Sequence, residues 1–191
     1  MLRKALDTNI IVYSLLEDHP ASQVCDALIR SGRYDFHTTP LTPFEVYFAL
    51  RRAYSIPKEE ASEKALSLFD SPLTFAEIGT EDARTALKRC VAHDLDANDS
   101  LLIQACLRSN IPSLTSDDKR LLRVSDEKGI LPQTPIEEEH RKKMRQWEED
   151  NLPPSGLPRL LRSIHSWLED TNTEIAREFL DATKGLRGLP L

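Results

Sequence analysis

Short apolar segments with strand character alternate with helical segments along most of this chain, and that alternation constrains its fold more than any other feature. Strands are predicted at residues 2–6, 34–39, 73–78, 111–115 and 129–131. Helical patterns follow each of the first four strands, for example at 42–54 and 98–109. Because strands separated by helices pair in parallel and carry helices on both faces, the sequence predicts an α/β protein.

The first of these strands has an acid at its end. Asp7 follows the apolar run and precedes Thr8 and Asn9. The segment fits either one strand that continues through Ile10 and Ile11, or a strand at 2–6 that gives way to a helix near Asn9, and we favour the second. A buried carboxylate is costly without a partner or a cation. Asp7 therefore either caps that helix or belongs to a site at the carboxyl edge of the sheet, where ligands and metals bind.

Three more acids lie where loops meet strands or helices. Glu45 belongs to the segment Thr42-Pro43-Phe44-Glu45, which predicts a helix start with Thr42 as N-cap and Glu45 as its capping-box partner. Asp99 opens the predicted helix 98–109, where an acid favours the helix dipole. Asp117 follows the short strand that ends at Thr115 and has an ordinary role as a cap for the next helix.

These acids are more informative as a set, since the carboxyl ends of parallel strands lie on one edge of a sheet. Four carboxylates in that place repel one another strongly unless cations neutralise them. Oxygen ligands without His or Cys select Mg²⁺ or Mn²⁺ over zinc. The usual work of such a site is phosphoryl chemistry on nucleic acids or nucleotides.

The charge balance argues against one class of nucleic-acid-binding protein but not against a nuclease. A formal net charge of −6 disfavours binding by bulk electrostatics, whereas cations in an acidic site reverse the charge that a phosphate meets. Cys25, Cys90 and Cys106 form no CxxC pair, so neither disulfides nor zinc are indicated and we expect a cytoplasmic location. Neither an apolar run of roughly 20 residues nor a secretory signal is seen, so no membrane partner is expected.

Four motifs in order resemble the PIN-domain family and, within it, the VapC-like toxin ribonucleases of toxin–antitoxin systems. They are Leu6-Asp7-Thr8-Asn9-Ile10-Ile11, Thr42-Pro43-Phe44-Glu45-Val46, Ala97-Asn98-Asp99-Ser100-Leu101-Leu102-Ile103-Gln104-Ala105 and Ser113-Leu114-Thr115-Ser116-Asp117-Asp118-Lys119-Arg120-Leu121. Each motif is weak alone, but four in order on an α/β pattern are a fairly specific signal. The resemblance covers roughly residues 1–136 and implies a PIN-like three-layer α/β/α sandwich with a short parallel sheet.

The resemblance also implies roles for individual acids. The catalytic set would be Asp7, Glu45, Asp99 and Asp117. The metal ligands among them would be Asp7, Asp99 and Asp117. Asp117 keeps the T-x-D spacing, but Asp118 stays open as the fourth acid because the family allows slippage there. Asp96 is a candidate accessory acid.

Other residues of the same motifs would support the acids. Thr8 and Asn9 match the turn after the first strand, and we expect Asn9 to support Asp7 by hydrogen bonding. Thr115 matches the hydroxyl residue that precedes the fourth acid.

Arg51 and Arg52 are candidate phosphate contacts, with ordinary solvated helix surface as the alternative.

The implied activity is that of a Mg²⁺- or Mn²⁺-dependent endoribonuclease, the toxin of a toxin–antitoxin pair. It would hydrolyse RNA phosphodiester bonds to leave a 5′-phosphate and a 3′-hydroxyl. Members of this family commonly form homodimers and are blocked by an antitoxin protein, so these are the expected partners beside RNA. The alternative is a non-catalytic PIN-like module for RNA binding or protein interaction.

The composition changes after Gln133-Thr134-Pro135, which predicts a nuclease domain at 1–136 and a helical C-terminal extension at 137–191. Residues 137–150 are densely charged with a helical pattern, residues 151–156 are a break, and amphipathic helices are predicted at 160–167 and 175–180. VapC-like proteins are usually shorter, so the role of the extension stays open between a packed appendage, a lid, a dimerisation element and a partner-binding arm.

Overall fold

A parallel sheet organises the protein, as the alternation of strands and helices predicts. The computed structural model describes residues 2–54, 56–151, 164–165, 167–169 and 171–183. Within these residues the sheet has five strands: β1 (Leu2–Leu6), β2 (Tyr34–Thr38), β3 (Thr74–Phe75), β4 (Ser113–Thr115) and β5 (Leu131–Gln133). Their order is β3-β2-β1-β4-β5, and every neighbouring pair is parallel. The central strand β1 therefore ends between the ends of β2 and β4.

Helices connect these strands and continue beyond the last one. They are α1 (Thr8–Leu15), α2 (Ser22–Ile29), α3 (Thr42–Arg52), α4 (Lys58–Leu66), α5 (Thr80–His93), α6 (Ala97–Ser109), α7 (Lys119–Glu127), α8 (Glu138–Asn151) and α9 (Thr173–Ala182). A 3-10 turn follows α4 at Ser67–Asp70. The chain divides into two compact units, Met1–Arg145 and Gln146–Leu191, and the sheet belongs to the first.

Each face of the sheet carries its own hydrophobic core, because neighbouring residues of a strand point to opposite faces. Leu6 of β1 lies in a cluster with residues of the helices α1 to α4. The preceding residue, Ala5, lies in a second cluster with residues of α6 and α7. Helices thus cover both faces, and the predicted three-layer α/β/α architecture is confirmed.

The chain turns from strand to helix at Asp7, as the favoured interpretation of the first segment predicts. β1 ends at Leu6 and α1 begins at Thr8. Ile10, Ile11 and Val12 lie in α1 although β-branched residues favour strands. All three are at most 2% exposed. Burial in the first core therefore outweighs the local preference of these side chains.

Four predicted strands differ from the observed ones in extent. The strands predicted at 34–39 and 111–115 are shorter by one and two residues, at Tyr34–Thr38 and Ser113–Thr115. The strand predicted at 73–78 is reduced to Thr74–Phe75. The strand predicted at 129–131 instead spans Leu131–Gln133. Gly129 has a φ of +76°, in the left-handed region that glycine occupies without steric cost, so it turns the chain after α7 rather than pairing in the sheet.

The predicted C-terminal extension is helical where the structure describes it. The charged segment forms α8, and the pattern at 175–180 lies within α9, whose N-cap Asn172 accepts hydrogen bonds from Glu174 N and Ile175 N. The predicted break at 151–156 and helix at 160–167 fall mostly outside the described residues. The boundary at 136 stays a prediction. Among the described helices, none has the length and apolar character required to cross a membrane.

Leu114 and Leu131 provide a matched test of the core. Leu114 of β4 is 0% exposed, whereas Leu131 of the edge strand β5 is 58% exposed. We expect Leu114→Ala to lower the free energy of unfolding by about 2–5 kcal/mol, because it removes buried methyl groups and leaves a cavity. Leu131→Ala should change it by less than about 1 kcal/mol. Urea unfolding followed by circular dichroism measures both, and equal losses would contradict the assignment of the second core.

Candidate acidic site at the carboxyl edge of the sheet

Asp7 is a buried carboxylate held by donors from two segments of the chain. Its side chain is 4% exposed. Oδ1 accepts a hydrogen bond of 2.6 Å from the backbone N–H of Thr8, and Oδ2 accepts one of 2.6 Å from the Ser116 hydroxyl. Burial raises the pKa of Asp7 to about 7, and the charges of Glu45 and Asp118 act in the same direction. Asp7 is thus both the N-cap of α1 and the centre of an acidic cluster.

Glu45 lies in the first turn of α3 and points toward the start of α1. Its Oε2 accepts a hydrogen bond of 2.6 Å from the Thr8 hydroxyl and another of 2.6 Å from Asn98 Nδ2. Burial raises the pKa of Glu45 despite these two donors. The side chain is thereby held between three elements of the fold.

The predicted capping box at the start of α3 is wrong. The N-cap is Leu41, which makes no side-chain capping bond, and Thr42 is already the first helical residue. Thr42 is 1% exposed, and its hydroxyl bonds to the Thr38 hydroxyl at 2.6 Å. A capping box satisfies helix amides locally, but here Glu45 bonds to Thr8 and Asn98, and Thr42 bonds to Thr38, so all these partners lie outside α3.

Asp99 lies in the first turn of α6, and the charges of several other acids raise its pKa. Burial raises the pKa of Asp99 to about 8. Four charges add to that effect, those of Asp7, Asp118, Glu45 and Asp96. Asp7, Glu45 and Asp99, which the sequence predicts to share one edge of the sheet, therefore lie within electrostatic reach of one another. Asp96, the candidate accessory acid, is exposed at the N-cap of α6.

The neighbouring acids Asp117 and Asp118 have different surroundings. Asp117 Oδ1 lies 2.6 Å from Nη1 of Arg141, and burial raises the pKa of Asp117 while the guanidinium lowers it. Asp118 is exposed and caps α7 through hydrogen bonds from Arg120 N and Leu121 N. Its charge raises the pKa of both Asp7 and Asp99. Of the neighbours Asp117 and Asp118, it is therefore Asp118 whose charge acts on Asp7 and Asp99.

The three residues predicted to support the acids have different partners, and the hydrogen bond predicted from Asn9 to Asp7 is replaced by bonds to other residues. Thr8 contacts two acids, Asp7 through its backbone N–H and Glu45 through its hydroxyl. Asn9 bonds instead to the loop after β4: its Nδ2 donates to the Ser116 hydroxyl at 3.2 Å, and its Oδ1 accepts from Asp117 N at 3.2 Å. Thr115 contributes its backbone carbonyl, which accepts from Asp7 N at 3.0 Å.

Sequence reasoning missed two supporting residues, Ser116 and Asn98. The Ser116 hydroxyl donates to Asp7 and accepts from Asp118 N at 2.8 Å. Asn98 is 1% exposed, and its Nδ2 lies 3.2 Å from the hydroxyls of Thr8 and Thr42 as well as beside Glu45. Asn98 Oδ1 accepts from the Thr39 hydroxyl. The available signal was their position directly before the predicted acids Asp99 and Asp117, because a buried carboxylate needs nearby donors.

Arg51 and Arg52 are exposed in the last turn of α3, about two helical turns from Glu45. Arg51 Nη1 donates to the Ile56 carbonyl at 3.4 Å, and the Arg52 guanidinium lies over the Phe48 ring at 4.6 Å. Both arginines therefore contact other parts of α3 and the segment that follows it.

The donor set of the cluster fits a hard divalent cation, because carboxylate oxygens without imidazole or thiolate suit Mg²⁺ and Mn²⁺. Among the residues that the structure describes, no three acidic, His or Cys side chains are arranged as a metal-coordinating group. Two of the carboxylates are instead turned toward hydrogen-bond donors of the protein.

A model of the PIN domain family matches residues 4–127, which is more than half of the chain. The chain belongs to the PIN domain family. PIN domains are generally nucleases, and PIN nucleases generally use divalent metal ions. The matched residues of this PIN domain contain all the acids described above, whereas Arg141 lies beyond them.

A solved structure also has the fold of this PIN domain protein. It is the crystal structure of VapBC2 from Rickettsia felis bound to a DNA fragment from their promoter. The match has a TM-score of 0.50 and 17% sequence identity, and it covers 70% of this chain and 98% of the other. At this identity the likeness shows the fold. No curated protein matches the chain.

The raised pKa values of Asp7 and Asp99 predict how stability depends on pH in the absence of divalent cations. The ordinary pKa of an aspartate is 3.8, whereas burial raises the pKa of Asp7 to about 7 and that of Asp99 to about 8 in the folded protein. The folded state therefore binds more protons than the unfolded state, so this contribution to stability is lost as the pH rises through 7 and 8. We expect the free energy of unfolding to fall between about pH 6.5 and pH 8.5.

Urea unfolding at several pH values, with and without Mn²⁺, measures this dependence. Asp99→Asn should flatten the slope because it removes one of the two titrating groups. Added Mn²⁺ should also flatten it, because a cation stabilises the ionised carboxylates. The titration of His19 does not interfere in the range from about pH 6.5 to pH 8.5. Burial lowers the pKa of His19 to about 4, so its effect on stability falls at lower pH. A stability that rises over this range would contradict the expectation.

Proposed function

We propose that this PIN domain protein is an endoribonuclease that requires Mg²⁺ or Mn²⁺, with Asp7, Asp99 and Asp118 as the metal ligands. The observation that carries the proposal is the charge coupling between these acids. Burial and mutual repulsion raise the pKa of Asp7 to about 7 and that of Asp99 to about 8, and Asp118 contributes to both shifts. Such a cluster is stabilised by a bound cation. RNA as the substrate is supported by the resemblance to VapC-like ribonucleases.

Asp118 takes the fourth acid position in this proposal in preference to Asp117. The carboxylate of Asp117 is paired with Arg141, whereas the charge of Asp118 acts on Asp7 and Asp99. Ser116 supports this choice, because its hydroxyl bonds to Asp7 on one side and to Asp118 N on the other.

The residues of the chain have distinct roles in the proposed hydrolysis. When bound, Mg²⁺ or Mn²⁺ would lower the pKa of water and balance the charge of the scissile phosphate. Glu45, whose pKa burial raises, would orient the attacking water and accept its proton. Thr8 and Asn98 would hold Glu45 in place through hydrogen bonds of 2.6 Å each. With water as the nucleophile and the 3′ oxygen as the leaving group, which would take up a proton from solvent, the products would carry a 5′-phosphate and a 3′-hydroxyl.

We further propose that the protein is a toxin paired with an antitoxin, acts as a homodimer, and works in the cytoplasm. The support is the VapC-like motif set together with the fold of VapBC2 from Rickettsia felis. The nuclease domain would span residues 1–136, with 137–191 as its extension. Arg51 and Arg52 would contact phosphates of RNA that extends from the acids along α3.

A second candidate function is a non-catalytic PIN-like module for RNA binding or protein interaction. It is favoured by one observation: within the described part of the chain, no three potential ligands already form a metal-coordinating group. A non-catalytic module would bind RNA without cleavage and would show no Mn²⁺ binding that depends on these acids.

Replacing the proposed ligands one at a time tests the endoribonuclease. We expect Asp7→Asn and Asp99→Asn to lower the cleavage rate by at least about 100-fold, since the charge stabilisation lost is several kcal/mol. Asp118→Asn should cause a similar loss that added Mn²⁺ does not restore. Cleavage of end-labelled RNA gives the rate and the product ends, and calorimetry gives the Mn²⁺ affinity of each variant.

Asp70→Asn is the matched control, because Asp70 is an exposed acid in the 3-10 turn after α4. It should cleave RNA at the wild-type rate. Wild-type cleavage by Asp7→Asn in the presence of Mn²⁺ would show that the proposed site is wrong. RNA binding without cleavage by the wild type would favour the non-catalytic module.

A further inference from the structure

We infer that Arg141 of α8 is a positioning residue of the acidic site. Through Asp117 it holds the loop that carries Ser116 and Asp118, and it thereby sets the affinity of the site for a divalent cation. The inference rests on the metal-binding role proposed above for Asp7, Asp99 and Asp118. It assigns a role to a residue that lies beyond the matched segment 4–127 of the PIN domain.

The contact between Arg141 and Asp117 is an ion pair removed from most solvent. Arg141 Nη1 lies 2.6 Å from Asp117 Oδ1, and the two side chains are 20% and 9% exposed. Exposed ion pairs contribute little to stability, but loss of one partner of a mostly buried pair leaves the other charge uncompensated. The pair therefore constrains the backbone on which Asp117 sits.

A chain of hydrogen bonds connects the backbone of Asp117 to Asp7 and to the backbone of Asp118. The backbone N–H of Asp117 donates to Asn9 Oδ1 at 3.2 Å, and Asn9 Nδ2 donates to the Ser116 hydroxyl at 3.2 Å. That hydroxyl donates to Asp7 at 2.6 Å and accepts from Asp118 N at 2.8 Å. Movement of Asp117 would therefore disturb the donor that holds Asp7 and the backbone that presents Asp118.

The start of α8 is packed in the hydrophobic core, so Arg141 is held in place relative to the loop that carries Asp117. Ile136, just before α8, is 3% exposed, and Met144, one turn after Arg141, is 5% exposed. Both lie in the first hydrophobic cluster, on the same side of the sheet as α1 and α2. The first half of α8 is thus packed against the nuclease fold and contributes a charge to its acidic edge.

Variants of the pair test this inference against a control from the same helix. Arg141→Gln, Asp117→Asn and the double variant each remove the ion pair. Arg145→Gln is the matched control, since Arg145 lies one turn further along α8 and pairs at 3.7 Å with Glu138 while both are well exposed. Arg141→Lys keeps the charge and provides a conservative rescue. The readouts are the Mn²⁺ dissociation constant by calorimetry, the thermal midpoint, and amide exchange at Asp117 and Asp118 without metal.

We expect Arg141→Gln and Asp117→Asn each to raise the Mn²⁺ dissociation constant by about tenfold, as loss of residues that orient metal ligands typically does. The double variant should bind Mn²⁺ as tightly as either single variant, because all three lack the ion pair between Arg141 and Asp117. Arg141→Lys should recover part of the affinity, and Arg145→Gln should match the wild type. Amide exchange at Asp117 and Asp118 should rise by about tenfold in Arg141→Gln.

Different outcomes separate this inference from the proposed function. Unchanged exchange at Asp117 and Asp118 in Arg141→Gln overturns the positioning role, whether or not the wild type binds Mn²⁺. A lower thermal midpoint with an unchanged Mn²⁺ dissociation constant also overturns it, since Arg141 would then only stabilise the fold. A wild type that binds no Mn²⁺ overturns the proposed function, and with it the effect of Arg141 on metal affinity.

Discussion

The burial of one carboxylate, that of Asp7, organises the carboxyl edge of the sheet. An ionised carboxylate removed from water is costly unless donors or a cation compensate it. Here the backbone N–H of Thr8 and the hydroxyl of Ser116 compensate the two oxygens. Because Ser116 follows β4 and Asp7 follows β1, this compensation ties together the ends of two neighbouring strands.

Glu45 repeats this arrangement with donors from further elements. Glu45 of α3 is held by Thr8 of α1 and Asn98 of α6, so three helices meet at one carboxylate. The pKa of Asp7 is nevertheless raised to about 7, because its hydrogen bonds offset only part of the cost of burial and repulsion. Burial and neighbouring charges raise the pKa of Asp99 to about 8. Proteins commonly accept such local destabilisation where a site must bind a ligand.

Local sequence patterns predicted much of the fold, and they failed where the partners of a side chain were distant. The alternation of strands and helices indicated the parallel sheet, and the turn at Asp7 was predicted correctly. The capping box at Thr42 and Glu45 was wrong, although the pattern is a good local signal. Glu45 accepts a hydrogen bond from Asn98 instead, which is far away in the sequence. Such a contact cannot be predicted from the few residues around Glu45.

The sequence by itself determined the layered α/β architecture and the placement of the acids at the ends of strands and the starts of helices. Periodicity and turn chemistry are local properties, so they can be read from neighbouring residues. Only the tertiary structure shows that the adjacent acids Asp117 and Asp118 have different surroundings. Arg141 of α8 neutralises the first, and the second is left with its charge acting on Asp7 and Asp99. That difference depends on a contact between distant segments that only the packed fold brings together.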